Sequence, residues 1–101
     1  MRKVAAMVSF TVRLTFEEGT RESIAATLRP LTEASRQEPG CIHYIPHFVE
    51  EERATVLIYE QYADETALEY HRTSPHFLEY AAGGLYKLRH TRLVEPLLAI
   101  A

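Results

Sequence analysis

The hydrophobic period of the chain changes four times, and each change falls at a residue suited to ending or starting an element. Val8, Phe10, Val12 and Leu14 alternate with Ser9, Thr11 and Arg13, which is the period of a half-buried strand. The alternation extends from about Val4 to Phe16 and is closed by Glu17, Glu18 and Gly19. Ile24, Leu28 and Leu31 then recur at helical spacing behind Thr20, a suitable N-cap, in a helix that runs to about Gln37. Pro30 lies inside it and is expected to kink it, because proline removes one backbone donor and crowds the preceding turn.

Pro39 and Gly40 suit the two central positions of a type II turn, where glycine supplies a positive φ. Cys41–Val49 and Thr55–Ala63 are rich in β-branched and aromatic residues, with EEER between them as a hairpin loop. Asp64 caps a second helix that carries Ala67, Leu68 and His71 on one face. Ser74 and Pro75 restart it, serine as N-cap and proline at the first helical position. Gly83 and Gly84 are expected to stop that helix before a last strand, Thr91–Ile100, in which Pro96 suits an edge. The order β, α, β, β, α, β in one domain, residues 1–101, predicts a ferredoxin-like α+β fold with a four-stranded antiparallel sheet and both helices on one face. The strands are apolar on both sides, so a second copy packed on the open face, a homodimer, is expected.

Composition narrows the function classes. A chain of 101 residues that is 47% hydrophobic and 25% charged is globular, and its net charge of −3 comes from interspersed acids and bases without a basic stripe, which argues against nucleic acid. Cys41 is the single cysteine, so no internal disulfide is possible and a reducing, cytoplasmic setting is expected. MRKVAAMVSF has the basic start and short apolar run of a leader, but the strand alternation that follows is not that of a cleaved segment. Nothing else is apolar enough for a membrane partner.

The stretch EPGCIHYIPHFVEEERATVLIYEQYADETALEYHRTSPHF, Glu38 to Phe77, is similar to the antibiotic biosynthesis monooxygenase (ABM) family, including its quinol monooxygenase members. The shared pattern is Glu-Pro-Gly-Cys, a tyrosine-rich strand, the strand end Tyr59-Glu60-Gln61-Tyr62, and His71-x-x-Ser74-x-His76-Phe77. The resemblance implies a dimeric α/β barrel, and oxygenation of a small aromatic or quinol-like compound by O2 with no cofactor. Such chemistry needs a base that deprotonates the substrate and a pocket that shields the resulting anion.

Alternation places Val56, Ile58, Glu60 and Tyr62 on one face of the third strand, which the family pattern sets under the helices. His71 is the candidate base, since imidazole titrates near neutrality, and Glu60 is its candidate orienting carboxylate. A structural Glu60–His71 hydrogen bond fits the same residues. Tyr44, Tyr62, His76, Phe77 and Tyr80 are the candidate substrate-binding residues, each also readable as core or surface.

No metal site is expected. Cys41 and His43 share a strand face, but His47 lies a further ~13 Å along the strand, and His71 and His76 are five apart across a helix break. Haem is disfavoured as well, because Val12, Tyr62 and Ala81 stand where the haem-degrading relatives of this fold carry their Asn, Trp and His. Two other functions share the cleft: a non-catalytic dimeric module that binds a small molecule, and an isomerase acting on a small polar metabolite, with Arg72 as the nearby cation.

Overall fold

A computed structural model describes residues 7–100. The elements are β1 (Val8–Thr15), α1 (Arg21–Arg36), β2 (Cys41–Val49), β3 (Glu52–Tyr62), α2 (Glu65–Arg72), a π-helix (Phe77–Leu85) that runs into a last α-turn (Tyr86–Leu88), and β4 (Thr91–Leu97). The four strands form one antiparallel sheet in the order β2-β3-β1-β4, which is the ferredoxin-like arrangement. Both helical layers lie on one face. β1 is central and pairs with β3 from Val8↔Tyr62 to Thr15↔Thr55, and with β4 from Ser9↔Leu97 to Thr15↔Thr91. The part of the expected first strand before Met7 lies outside the described residues.

Alternation decides which residues enter the core. Val12 and Leu14 of β1 and Val56 and Ile58 of β3 meet Ile24, Leu28 and Leu31 of α1, all of them buried, and a fully buried Leu or Ile contributes about 1.5–3 kcal/mol. The other sheet face mixes polar Arg13, Thr11 and Gln61 with half-buried Leu57 and Tyr59 and exposed Ile45, Leu93 and Leu97. No helix among the described residues is long and apolar enough to cross a membrane.

Several local expectations are met. Asp64 caps α2 by accepting from the backbone N–H of Ala67 at 2.8 Å. Ser74 Oγ accepts from the N–H of Phe77 at 3.2 Å and donates to the carbonyl of His71 at 2.6 Å, so one side chain closes α2 and opens the next helix. Pro96 sits on the edge strand β4.

Others are corrected. Thr20 holds the N-cap position without a side-chain bond to the helix, because its hydroxyl donates to the carbonyl of Glu17 instead. β3 begins at Glu52, three residues before the expected start, so only Glu50 and Glu51 are left in the hairpin turn. Gly40 does not have a positive φ, and the turn is therefore not type II; Gly19 is the glycine that does, at +83°. What Gly40 supplies is room, since a Cβ added there would lie 2.3 Å from Ala67 Cβ.

Gly83 and Gly84 do not end the helix. They lie within a widened turn, where a Cβ on Gly83 would meet the carbonyl oxygen of Leu78, five residues back, at 2.7 Å. The chain stays helical to Leu88 because glycine removes that obstacle rather than reversing the backbone. A register irregularity between Cys41 and His43 opposes the shared strand face expected for them: Cys41 lies beside inward-facing Tyr62, whereas His43 lies beside outward-facing Gln61.

Candidate active site

The site is built where α2 ends. His71 occupies the last turn of α2, on the face that carries Leu68 into the core, and its side chain is 3% exposed. Its ring is surrounded by the rings of Tyr44, Tyr62 and Phe77, with centroids 5.6, 5.2 and 5.2 Å away. Beneath it, Glu60 reaches up from β3, buried on the helix-facing side as the alternation requires.

The partner of His71 is a residue that the sequence reading treated only as part of a turn. Glu38 Oε2 lies 2.8 Å from His71 Nδ1 and 2.5 Å from His76 Nε2. A carboxylate can only accept, so the hydrogen of each bond belongs to the imidazole. Glu38 is carried there by the Pro39–Gly40 turn. Its backbone N–H donates to Ser35 at the end of α1, its carbonyl accepts from Cys41, and Gly40 packs directly against Ala67 of α2. The one sequence signal for Glu38 was its place directly ahead of the Pro39-Gly40 turn.

The expected Glu60–His71 hydrogen bond is not made. His71 Nε2 is 3.8 Å from Glu60 Oε1, beyond hydrogen-bond range, while Glu60 Oε1 accepts from the Tyr62 hydroxyl at 2.6 Å. With Nδ1–H engaged by Glu38, the neutral ring presents the lone pair of Nε2 to the space between itself and Glu60.

That space is open. A cleft of about 60 Å³ lies between the inner sheet face and the helices, with Glu60, His71, Arg72 and Arg92 as its polar groups. Phe10, Phe77, Tyr86 and Val94 supply apolar and aromatic wall. Its volume is below the ~150 Å³ of a cavity that takes up benzene, so a substrate ring enters fully only if Phe77 or Tyr86 moves aside. A larger groove of about 350 Å³ runs between α1 and β2 past Arg29, Thr32 and Phe48, but neither His71 nor Glu60 reaches it.

The other expected substrate residues divide. Phe77 lines the cleft. Tyr44 and Tyr62 are buried behind it, 3% and 0% exposed, and act as packing and as the support of Glu60. His76 faces Glu38. Tyr80 does not line the cleft; its hydroxyl is engaged by Glu79, which raises its pKa. Tyr86 takes the place expected of Tyr80, further along the same helical segment, and was missed because the helix was expected to stop at Gly83.

Electrostatics follow from burial. Desolvation raises the Tyr44, Tyr62 and Tyr86 hydroxyls, so all three are neutral donors. Desolvation, with Glu38 and Glu60 nearby, pushes the Cys41 thiol up to about 11, which makes it a poor nucleophile.

Glu60 is raised chiefly by desolvation, against the opposing pull of the Tyr62 hydrogen bond and His71. A raised folded-state pKa gives stability that is complete below the unfolded value of about 4.3 and is lost as pH rises through the folded value. Glu60→Gln keeps an acceptor for Tyr62 and removes the charge. The variant is expected to melt above the parent at pH 8, by about 4–8 °C for each kcal/mol recovered, with the gap closing towards pH 4. A gap that is constant with pH, or of the opposite sign, would contradict this account of Glu60.

Residues 7–83 match the family model for antibiotic biosynthesis monooxygenase. The chain belongs to the antibiotic biosynthesis monooxygenase family. Solved structures agree. An ABM-named protein from Bacteroides thetaiotaomicron is 26% identical, with 94% of this chain and 90% of that one covered and a TM-score of 0.86. PA3566 from Pseudomonas aeruginosa is 27% identical over 99% and 100% of the two chains, with a TM-score of 0.87. Rv0793 from Mycobacterium tuberculosis is 26% identical over 95% and 97%, with a TM-score of 0.83. The uncharacterized protein sll1783 of Synechocystis is 37% identical over 60 residues, 59% of this chain, and the match spans only 41% of that protein's length. The matched ABM region contains Glu38, Glu60, His71 and His76 and stops before Tyr86 and Arg92.

Proposed function

We propose that this ABM protein is a cofactor-independent monooxygenase that oxidises a small aromatic or quinol-like compound with O2. The observation that carries the reading is His71, held through Nδ1 by buried Glu38, with Nε2 turned to a cleft whose other wall is Glu60. His71 Nε2 accepts the proton of a substrate hydroxyl or activated CH2 group, worth typically 10²–10⁴-fold in rate. Arg72 and Arg92 offset the negative charge that develops on the substrate. The anion reduces O2; one oxygen atom becomes the new carbonyl at the former CH2, or at a former ring CH of a phenol, and the other leaves as water with the two displaced hydrogens. Phe77 and Tyr86 keep bulk water from the anion. The reading includes a homodimer joined through the sheet face that carries Ile45, Leu57, Tyr59, Leu93 and Leu97.

The test is O2 uptake by the purified chain with a panel of dihydroxynaphthalenes and anthrones. One O2 consumed per carbonyl formed is expected from at least one compound. No uptake from any of them, with the same compounds still bound, would leave a non-catalytic binding module. Arg72 and Arg92 together favour one alternative, an isomerase acting on a small anionic metabolite; ligand affinity lost in Arg72→Ala with no O2 uptake would point there.

A further inference from the structure

The break between α2 and the π-helix brings two imidazoles to one carboxylate oxygen. His71 Nδ1 and His76 Nε2 lie 2.8 and 2.5 Å from Glu38 Oε2, and the three residues offer ligand atoms that all lie within 4.8 Å of one another. Spacing along the sequence argued against such convergence, because five residues across a break do not share a helical face. The restart at Ser74 turns the second helix so that His76 points back over the end of the first.

A second observation concerns the same carboxylate. Glu38 has a side chain only 3% exposed, and its other oxygen, Oε1, is buried with no hydrogen-bond partner. Such a group loses its hydration without replacement, which is unfavourable, and more so for a charged group. A cation held by the two rings and chelated by both carboxylate oxygens would satisfy that oxygen.

We propose that Glu38, His71 and His76 form a binding site for a divalent transition-metal ion, with zinc the best match. Two imidazoles and one carboxylate are a recurrent three-ligand set, which leaves a fourth position for water or a small anion. With bonds of about 2.0–2.2 Å, ligand atoms around a tetrahedral ion are roughly 3.3 Å apart. The present contacts are shorter, so Glu38 withdraws by less than ~1 Å on binding. His76, whose side chain is 18% exposed, gives the ion a way in. Beyond the far nitrogen of His71 stands Glu60, at 3.8 Å outside hydrogen-bond range and fixed instead by Tyr62, so the ring is held on the ligand side by Glu38 alone.

The site shares His71 with the proposed oxygenation and acts against it. An ion on Nδ1 moves the imidazole hydrogen to Nε2, so His71 can no longer accept a proton from the cleft. Occupancy therefore holds the base out of action.

The experiment uses the intact chain, stripped with a chelator and dialysed, and the metal alone. Zn²⁺ affinity is measured by competition with a chromophoric chelator, and Co²⁺ is followed by its visible absorption. One ion per chain is expected, with a Kd of about 1 µM or tighter, weakened at least tenfold, roughly, in Glu38→Gln and in His76→Asn. Joint replacement of the exposed His43, His47 and His90 by Asn is expected to leave binding unchanged. Circular dichroism checks the fold of each variant, and the half-buried His76→Asn decides the matter if Glu38→Gln does not fold. Absence of binding, binding that survives His76→Asn, or binding lost only in Cys41→Ser would overturn the proposal and leave the three residues as a hydrogen-bonded network.

Discussion

His71→Ala is expected to lower O2-dependent turnover by about 10²–10⁴-fold and also to destabilise the fold by about 3–5 kcal/mol. The two losses have different origins. On the proposed reading turnover falls because Nε2 is the group that faces Glu60 across the cleft, and among the described residues no other imidazole lines that space. Stability falls because the ring fills the volume between Tyr44, Tyr62 and Phe77 and because the buried Glu38 carboxylate loses the more deeply buried of its two imidazole partners. His71→Gln separates the two, since an amide can still donate to Glu38 but cannot accept a proton. It is expected to recover a substantial part of the stability and none of the turnover. Turnover in His71→Gln within about threefold of the parent, well short of the effect of losing a general base, would remove His71 from the chemistry.

Gly40→Ala is expected to destabilise the protein by about 1–3 kcal/mol, although the substitution is a single methyl group in an exposed-looking Pro-Gly turn. The added Cβ would lie 2.3 Å from Ala67 Cβ, and Gly40 has no positive φ that alanine would strain. The effect is therefore steric, and it is reversible by making space on the other side. Ala67→Gly alone costs about 1 kcal/mol of helix propensity; combined with Gly40→Ala it is expected to restore the contact. Urea denaturation of the four proteins measures this, and the double variant should be more stable than the sum of the singles by on the order of 1 kcal/mol. Strict additivity would mean that the turn and α2 do not bear on each other. Because Glu38 lies in the same turn, Gly40→Ala should also loosen the hold on His71 and depress turnover.

The elements that were legible in the sequence are those whose signal is local. The alternation in β1 and β3, the Asp64 cap and the Ser74-Pro75 restart each depend on a few neighbouring residues, and each is found in the structure. The glycines were misread for one reason. Glycine's freedom at positive φ is a local property, but Gly40 and Gly83 serve close approaches, to Ala67 and to the Leu78 carbonyl, which appear only when the backbone is folded. From the misreading of Gly83 followed the choice of Tyr80 over Tyr86.

The site divides along the same line. Periodicity alone put Glu60 and Tyr62 on the covered face of β3, and the helix break alone put His71 and His76 at its two ends. Which groups pair could not be read that way. Glu38 meets His71 across 33 residues and His76 across 38, a contact created by the docking of the Pro39–Gly40 turn on α2. Glu60 in turn bonds Tyr62 rather than the histidine above it, because 3.8 Å separates the two groups. The sequence by itself determined the order of strands and helices and the face each residue occupies, since those depend on period and capping. The tertiary structure decided the hydrogen-bond partners and the opening of the cleft, because an ångström of displacement between packed elements makes or breaks them.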